Sequence, residues 1–313
     1  MLAALLVATC SPTVPNDPSQ AASPGPTAGP PVAWTPAVDA VVEAFDEHAV
    51  VAIGEIHGSR PIHVFLRELV GDPRLVGVLQ DVAVEFGSAR HQATIDRYVL
   101  GEEVPEAELT LVWTDTTQRS GVWNSPIYRE FFERIRELNV DRSPPERIRV
   151  LLGDPPIDWD TITDTGECNE EDPGCLDHWL FQRDAHFADV VRAASLAHGR
   201  RVLVIAGVGH VRRHSDADAP RSLTDELETT HPGATWAMLP IDAASVRAIQ
   251  ATIGASEPPS VAVAVTLADR RLADLPASTF FDRGSVTCDH PPCEEPDAPI
   301  ERLGQIADAL LVP

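Results

Sequence analysis

The sequence predicts an α/β fold, a mostly parallel sheet covered by flanking helices. Short apolar runs at Val50–Gly54, Asp81–Phe86, Arg147–Leu152 and Arg201–Ala206 are the length of strands and show no alternation, as strands buried on both faces do. Stretches with apolar residues at helical spacing lie between them, the order a parallel sheet requires. Each run closes in glycine and a polar residue, which reads as a buried strand reaching the sheet edge. No internal repeat is present. A weak echo links GEIH after the first run to GVGH after the fourth.

Taken in order, Met1–Thr9 is apolar, uncharged and far too short to span a bilayer. With Cys10 it reads as a lipoprotein-type signal remnant over residues 1–10, with Cys10 as the lipidation site. Thr9 is larger than the residue usual before such a cysteine, and the basic start is missing; a free cysteine in a truncated signal peptide is the competing reading. Residues 11–36 hold eight prolines among Ser, Ala, Gly and Thr, a composition that stays extended and cannot pack a core. Together these segments predict secretion across the cytoplasmic membrane and a bacterial cell-envelope lipoprotein. Membrane contact would run only through the lipid at Cys10.

Residues 37–313 are expected to form a single domain. Val38–Glu47 reads as a helix, and Arg60–Val70 as another with Ile62, Phe65, Leu66 and Leu69 inward. Ser88–Leu100 is expected to be helical with Ser88 as its cap. Pro105–Trp113 and Pro126–Asn139 follow, the latter with Ser125 and Pro126 as cap and first position. Leu176–His198 reads as one long helix and Ser222–Thr229 as a short one. Thr235–Ile241 and Val261–Leu267 read as strands, and Ile300–Leu311 as a closing helix. Beyond Ile241 no chemistry is legible.

The formal charge of −24, from 24 basic and 48 acidic residues, excludes a nucleic-acid binder, which needs clustered Lys and Arg. It also argues against docking on anionic lipid. Of five cysteines, Cys168 and Cys175 have six residues between them, and Cys288 and Cys293 have four. Two local disulfides in an oxidising compartment fit this pattern, with three pairings open. A four-cysteine zinc site competes, although its knuckles usually have tighter spacing.

In a parallel sheet all strand C-termini share one edge, where ligands bind. Four runs end there in chemistry-bearing residues: Glu55 and His57, Glu85, Asp154, and His210. Two chemistries fit this set. Glu55, His57 and His210 could hold a divalent metal that acidifies water. Alternatively, a histidine oriented by a glutamate acts as general base on water without metal. Arg183, with Asp184 beside it and His186 three residues on, could clamp a carboxylate or orient an acid, or form a structural ion pair. Arg90 could reach the crevice, although Arg90-His91 reads more simply as a solvated helix start, and Arg212-Arg213-His214 reads as a solvated turn. Trp113, Trp123 and Tyr128 flank a polar stretch and either wall a pocket or join the core. No HExxH, GxSxG, P-loop or GxGxxG occurs.

GEIHG after the first strand, VEFG at the second, QRDAHFADVV on a helix and IAGVGH at a late strand together resemble a superfamily. It contains ChaN-like haem-binding lipoproteins, erythromycin esterases, and the Tiki and TraB-type proteins. The resemblance spans about Val50 to Arg213. It implies an α/β fold whose motifs build one crevice, with the roles falling on Glu55, His57, Glu85, Arg183 and His210. Within the group, erythromycin esterases hydrolyse a macrolactone with a histidine base, Tiki proteins are described as metal-dependent proteases, and ChaN-like lipoproteins bind haem. The resemblance therefore implies a lipid-anchored hydrolase acting on an ester or peptide bond of a small-molecule or peptide substrate. The alternative it implies is a haem- or metal-binding lipoprotein without turnover. A degenerate member acting as a surface interaction module is a third reading. Tyrosine is a common haem ligand, and the chain offers only Tyr98 and Tyr128.

Overall fold

A computed structural model describes residues 33–118, 121–166, 168–214, 221–254, 256–268, 270–281 and 301–313. Its strands are β1 (Thr35–Pro36), β2 (Val50–Glu55), β3 (Asp81–Ser88), β4 (Arg149–Asp154), β5 (Val202–Gly207), β6 (Thr235–Pro240), β7 (Val263–Thr266) and β8 (Ala309–Val312). They form an eight-stranded sheet in the order β1-β7-β8-β6-β2-β5-β3-β4. All pairings are parallel except those of β7, which runs antiparallel to β1 and β8.

The central strands are apolar because both faces are covered. Val50, Val51, Ala52 and Ile53 are fully buried, and so are Val202 to Ala206. Each buried Val or Ile contributes about 1.5–3 kcal/mol over leaving it in water. The period of two divides these residues between layers. Val51 and Ile53 face the layer built by α1 (Ala37–Glu47), α2 (Arg60–Val70), α3 (Gln92–Val99), α4 (Glu106–Thr114) and α5 (Pro126–Asp141). Val50 and Ala52 face the layer containing α7 (Arg183–Ala194), which follows the short α6 (Leu176–Phe181). That second layer also holds the turn α8 (Val208–Val211), α9 (Leu223–Thr230) and α10 (Ala243–Ile253).

The strands and helices expected through β6 are present, with shifted ends, while Thr35 and Pro36, expected in the linker, join the sheet by pairing with Ala264 and Val263 of β7. The helix expected over 88–100 starts later. Ser88 belongs to β3 and its side chain makes no capping bond. The helix expected over 176–198 breaks at Gln182, because α6 buries none of its residues while α7 packs Phe187, Ala188 and Val191 into the core. The closing helix expected over 300–311 is a single turn, α12 (Leu303–Ile306), followed by β8. Ala309, Leu310 and Leu311 are wholly buried between β6 and β7, a position only a strand can fill. Another turn, α11 (Arg270–Ala273), precedes it. No helix among the described residues is long and apolar enough to cross a membrane.

The layers exchange at β2 and β5, which are neighbours. β2 exits into α2 on the first layer, and β5 exits into α8 on the second. Adjacent strands whose exits diverge to opposite faces leave a crevice beyond their C-terminal ends, the place where open α/β sheets bind ligands.

Candidate functional site

The last rung of the β2–β5 ladder pairs Glu55 with Gly207. Glu55 follows Val51 and Ile53 in parity, so its carboxylate lies on the α2/α5 side. There Oε1 accepts from the Tyr128 hydroxyl at 3.0 Å and from Nε2 of His63 at 3.1 Å. Tyr128 also accepts the Gly58 N–H at 2.9 Å, which ties down the loop that carries His57. Nδ1 of His57 sits 3.7 Å from Oε2 of Glu55, an ion-pair distance rather than a hydrogen bond. The Trp123 ring meets the His57 ring edge-on at 4.5 Å. The His57 side chain keeps 35% of its exposure, the largest share among the site residues.

Glu85 occupies the opposite parity on β3 and meets the second layer. Oε2 accepts the Gly207 N–H at 2.6 Å. Oε1 receives Arg183 and lies 3.2 Å from Nε2 of His210. Nδ1 of His210 in turn meets Oδ1 of Asp184 at 2.7 Å. Arg183 reaches this depth because α7 packs directly on β4 at Gly153. A Cβ there would fall 2.3 Å from the Phe187 ring, so only glycine admits the helix. The guanidinium also lies 3.5 Å from Asp154, whose oxygens accept the Thr117 hydroxyl and N–H at 2.5 and 2.7 Å.

The charges separate the two histidines. Burial pushes His210 down, but Glu85 and Asp184 outweigh it and raise it to about 10. His210 is therefore an imidazolium with both nitrogens donating to carboxylates. Burial likewise pushes His57 down, and Glu55 and Glu85 bring it above 6.5. Glu85 is pushed up by burial yet held well below 4.5 by His210 and Arg183. Glu55 is held below 4.5 by His57 and His63 against its burial. Burial raises the Asp154 carboxyl to about 6, partly offset by Arg183 and Thr117.

The structure thus brings Glu55, His57, Glu85, Arg183 and His210 to one crevice, with Asp154 behind Arg183. His186, expected on the face of Arg183, makes none of these contacts. Arg90 instead binds Asp158 at 2.8 Å and His91 binds Asp115 at 2.7 Å. The expected solvated turn at 212–214 is an ion-paired one. Arg212 binds Glu301, Arg213 binds Asp308, and His214 meets Asp225 at 2.8 Å. Trp123 and Tyr128 wall the site, whereas Trp113 stacks on Phe132 in the core. Sequence reasoning missed His63, although its position next to Ile62 and three before Leu66 on the inner face of α2 was a readable signal.

The residues fit neither expected cofactor as arranged. Among the described residues, Glu55, His57 and His210 do not bring one donor atom each within 4.8 Å of the others. His210 also offers no lone pair while both nitrogens donate. Tyr128, a haem-ligand candidate, is buried with its hydroxyl on Glu55, and Tyr98 carries Arg136 over its ring at 4.9 Å. Cys168 and Cys175 form a disulfide, so the four-cysteine zinc site does not exist. Cys10, Cys288 and Cys293 lie outside the described residues.

No family model matches the chain, and no curated protein matches it in sequence. Solved structures share its fold. A Bacillus cereus protein aligns with a TM-score of 0.59 at 13% identity over 88% of this chain and 90% of its own. A succinoglycan biosynthesis protein aligns at 0.57 and 10% identity over 88% and 90%. A histidine variant of the erythromycin esterase EreC, in its open conformation, aligns at 0.54 and 10% identity over 88% and 92%. This chain therefore has the erythromycin-esterase-type fold.

Proposed function

We propose that this chain is an ester hydrolase that uses His57 as a general base on water. The observation that carries the reading is the division of labour between the two histidines. His57 is the more exposed of the two, with Nδ1 toward Glu55 and its other ring nitrogen beside Gly207, where the β2 and β5 ends meet. His210 is locked as a cation between Glu85 and Asp184. A neutral His57 takes a proton from water, and the hydroxyl oxygen bonds to the ester carbonyl carbon. Collapse of the tetrahedral species breaks the carbon–oxygen bond to the leaving alkoxide, which takes back the proton from His57. His210 and Arg183 supply the positive charge that faces the developing oxyanion. The esterase fold of EreC agrees with this choice of bond.

The export readings join this proposal. Lipidation of Cys10 and an extended proline-rich segment ahead of β1 would hold the domain outside the cytoplasmic membrane, with a small-molecule ester as substrate and no nucleic-acid partner. Mass analysis of the envelope-borne protein would show diacylglycerol on Cys10, and an unmodified Cys10 would sink the anchor.

The test of the reaction is hydrolysis of a panel of p-nitrophenyl esters and macrolactones by the full chain and by His57→Asn. Turnover that His57→Asn abolishes while its circular dichroism is unchanged supports the reading. Turnover equal in the variant, or removed by a chelator and restored by zinc, rejects it.

A further inference from the structure

We infer that His63 is a positioning residue for His57, acting through the carboxylate of Glu55. The inference rests on the reading of His57 as the base. An ionised carboxylate only accepts hydrogen bonds, so both groups on Oε1 of Glu55 must donate. His63 therefore carries its hydrogen on Nε2, and Tyr128 donates its hydroxyl hydrogen to the same oxygen. Two donors on one oxygen fix the plane of the carboxylate. Its other oxygen, Oε2, then faces Nδ1 of His57 at 3.7 Å and makes no hydrogen bond of its own.

His63 is an expensive choice for packing alone. It is 1% exposed, its Nδ1 has no hydrogen-bond partner, and its ring is edge-on to Tyr128 at 5.0 Å and Phe131 at 6.3 Å. Its helix neighbours Ile62 and Leu66 are core residues, and an aliphatic side chain would fill the place without a buried, unpartnered nitrogen. What histidine adds is the second donor on Glu55. Tyr128 completes the arrangement, since the same hydroxyl holds the Gly58 amide one residue beyond His57. Glu55 of β2, Glu85 of β3 and His210 of α8 act on His57. Glu55, with Tyr128 and Glu130 of α5, are the titratable groups facing His63.

The test reads the His57 ring itself. Histidine-labelled full chain is titrated by NMR from about pH 5 to about 9, the range in which imidazoles change charge. In the unmodified chain His57 titrates above the ordinary imidazole value. His63→Phe frees the carboxylate to turn, and the His57 midpoint falls by about one pH unit, the size of a lost carboxylate partner. His63→Gln restores an N–H donor and leaves the midpoint in place. Tyr128→Phe removes the other donor without opening a cavity and lowers the midpoint in the same sense. If His63→Phe does not fold, Tyr128→Phe against His63→Gln decides. A His57 midpoint unchanged or raised in the folded donor-less variants overturns the inference. The outcome is separable from the proposed reaction, because no substrate is present. A shift in a chain that hydrolyses no ester would sink the esterase reading and keep the coupling. Ester hydrolysis with no shift would do the reverse.

Discussion

Glu55 and Gly207 close the same rung of the sheet, and the glycine leaves the space in which the two halves of the site meet. A Cβ on Gly207 would stand 3.0 Å from Cε1 of His57 and 3.3 Å from Oε2 of Glu85. Glu85 is pinned by Arg183, so the half-exposed His57 has to give way by a few tenths of an ångström. Gly207→Ala is expected to fold with a melting temperature close to that of the parent chain. It should lose ester turnover about tenfold or more, as small misplacements of a base do. Full turnover in Gly207→Ala would show that His57 does not work where it stands.

The two histidines predict a bell-shaped pH profile. In the proposed reaction His57 is neutral when it acts, so kcat/KM is expected to fall as pH drops through its raised value, with an acid limb above 6.5. His210 must stay cationic, so the alkaline limb lies near 10, and His210→Gln removes that limb. Stability depends on pH through the same buried groups. The native pKa of His210 is raised, so its stabilisation is complete below 6.5 and lost as pH climbs through about 10. That of Glu85 is lowered, so its stabilisation is complete above 4.5 and lost only below that. Thermal melts across pH are expected to show the full contribution of both between about 4.5 and 6.5. His210→Gln should flatten the alkaline decline.

The site was legible because its residues lie directly after apolar runs that could only be buried strands. Glu55, Glu85 and His210 follow from that rule alone. The neighbour relations were not legible. That β5 lies between β2 and β3, and that Glu55 and Glu85 leave the sheet on opposite faces, depend on strand pairings between residues far apart in the chain. The final segment failed for a local reason. Leu303, Ile306 and Leu310 satisfy a helical period, yet Ala309–Val312 is a four-residue apolar run that periodicity cannot tell from a buried strand. The helix Ala243–Ile253 went unread although Asp242 caps it through the Ser245 amide at 2.7 Å, a signal visible in the sequence.

Arg183 and Glu85 form a buried pair, with side chains 6% and 3% exposed. Removing one partner of such a pair leaves an uncompensated charge and costs about 3–5 kcal/mol. Arg183→Met is therefore expected to lower the melting temperature by roughly 10 °C, a shift that differential scanning calorimetry resolves. Adding Glu85→Gln removes a buried carboxylate that has lost one of its two cationic partners, His210 being the other, and should recover part of the loss. If the double variant were as unstable as the sum of the single ones, the two residues would not be coupled, and the central ion pair would be an accident of placement.

The disulfide between Cys168 and Cys175 makes a final, local prediction. It closes a short loop, which by chain entropy stabilises by about 2–3 kcal/mol. Cys175 is 1% exposed and stands at the N-cap position of α6, whose own residues are at most half-buried. The bond rather than the core therefore holds α6 in place, whereas α7 is held by Phe187, Ala188 and Val191. Reduction, or Cys168→Ser with Cys175→Ser, is expected to free α6 while α7 stays folded. Hydrogen exchange should then rise across 163–181 and remain slow across 187–194. Because Arg183 starts α7 just beyond the break at Gln182, turnover should fall by less than it does in Arg183→Met. Uniformly faster exchange through α7 would instead mean that the disulfide supports the α7 layer directly.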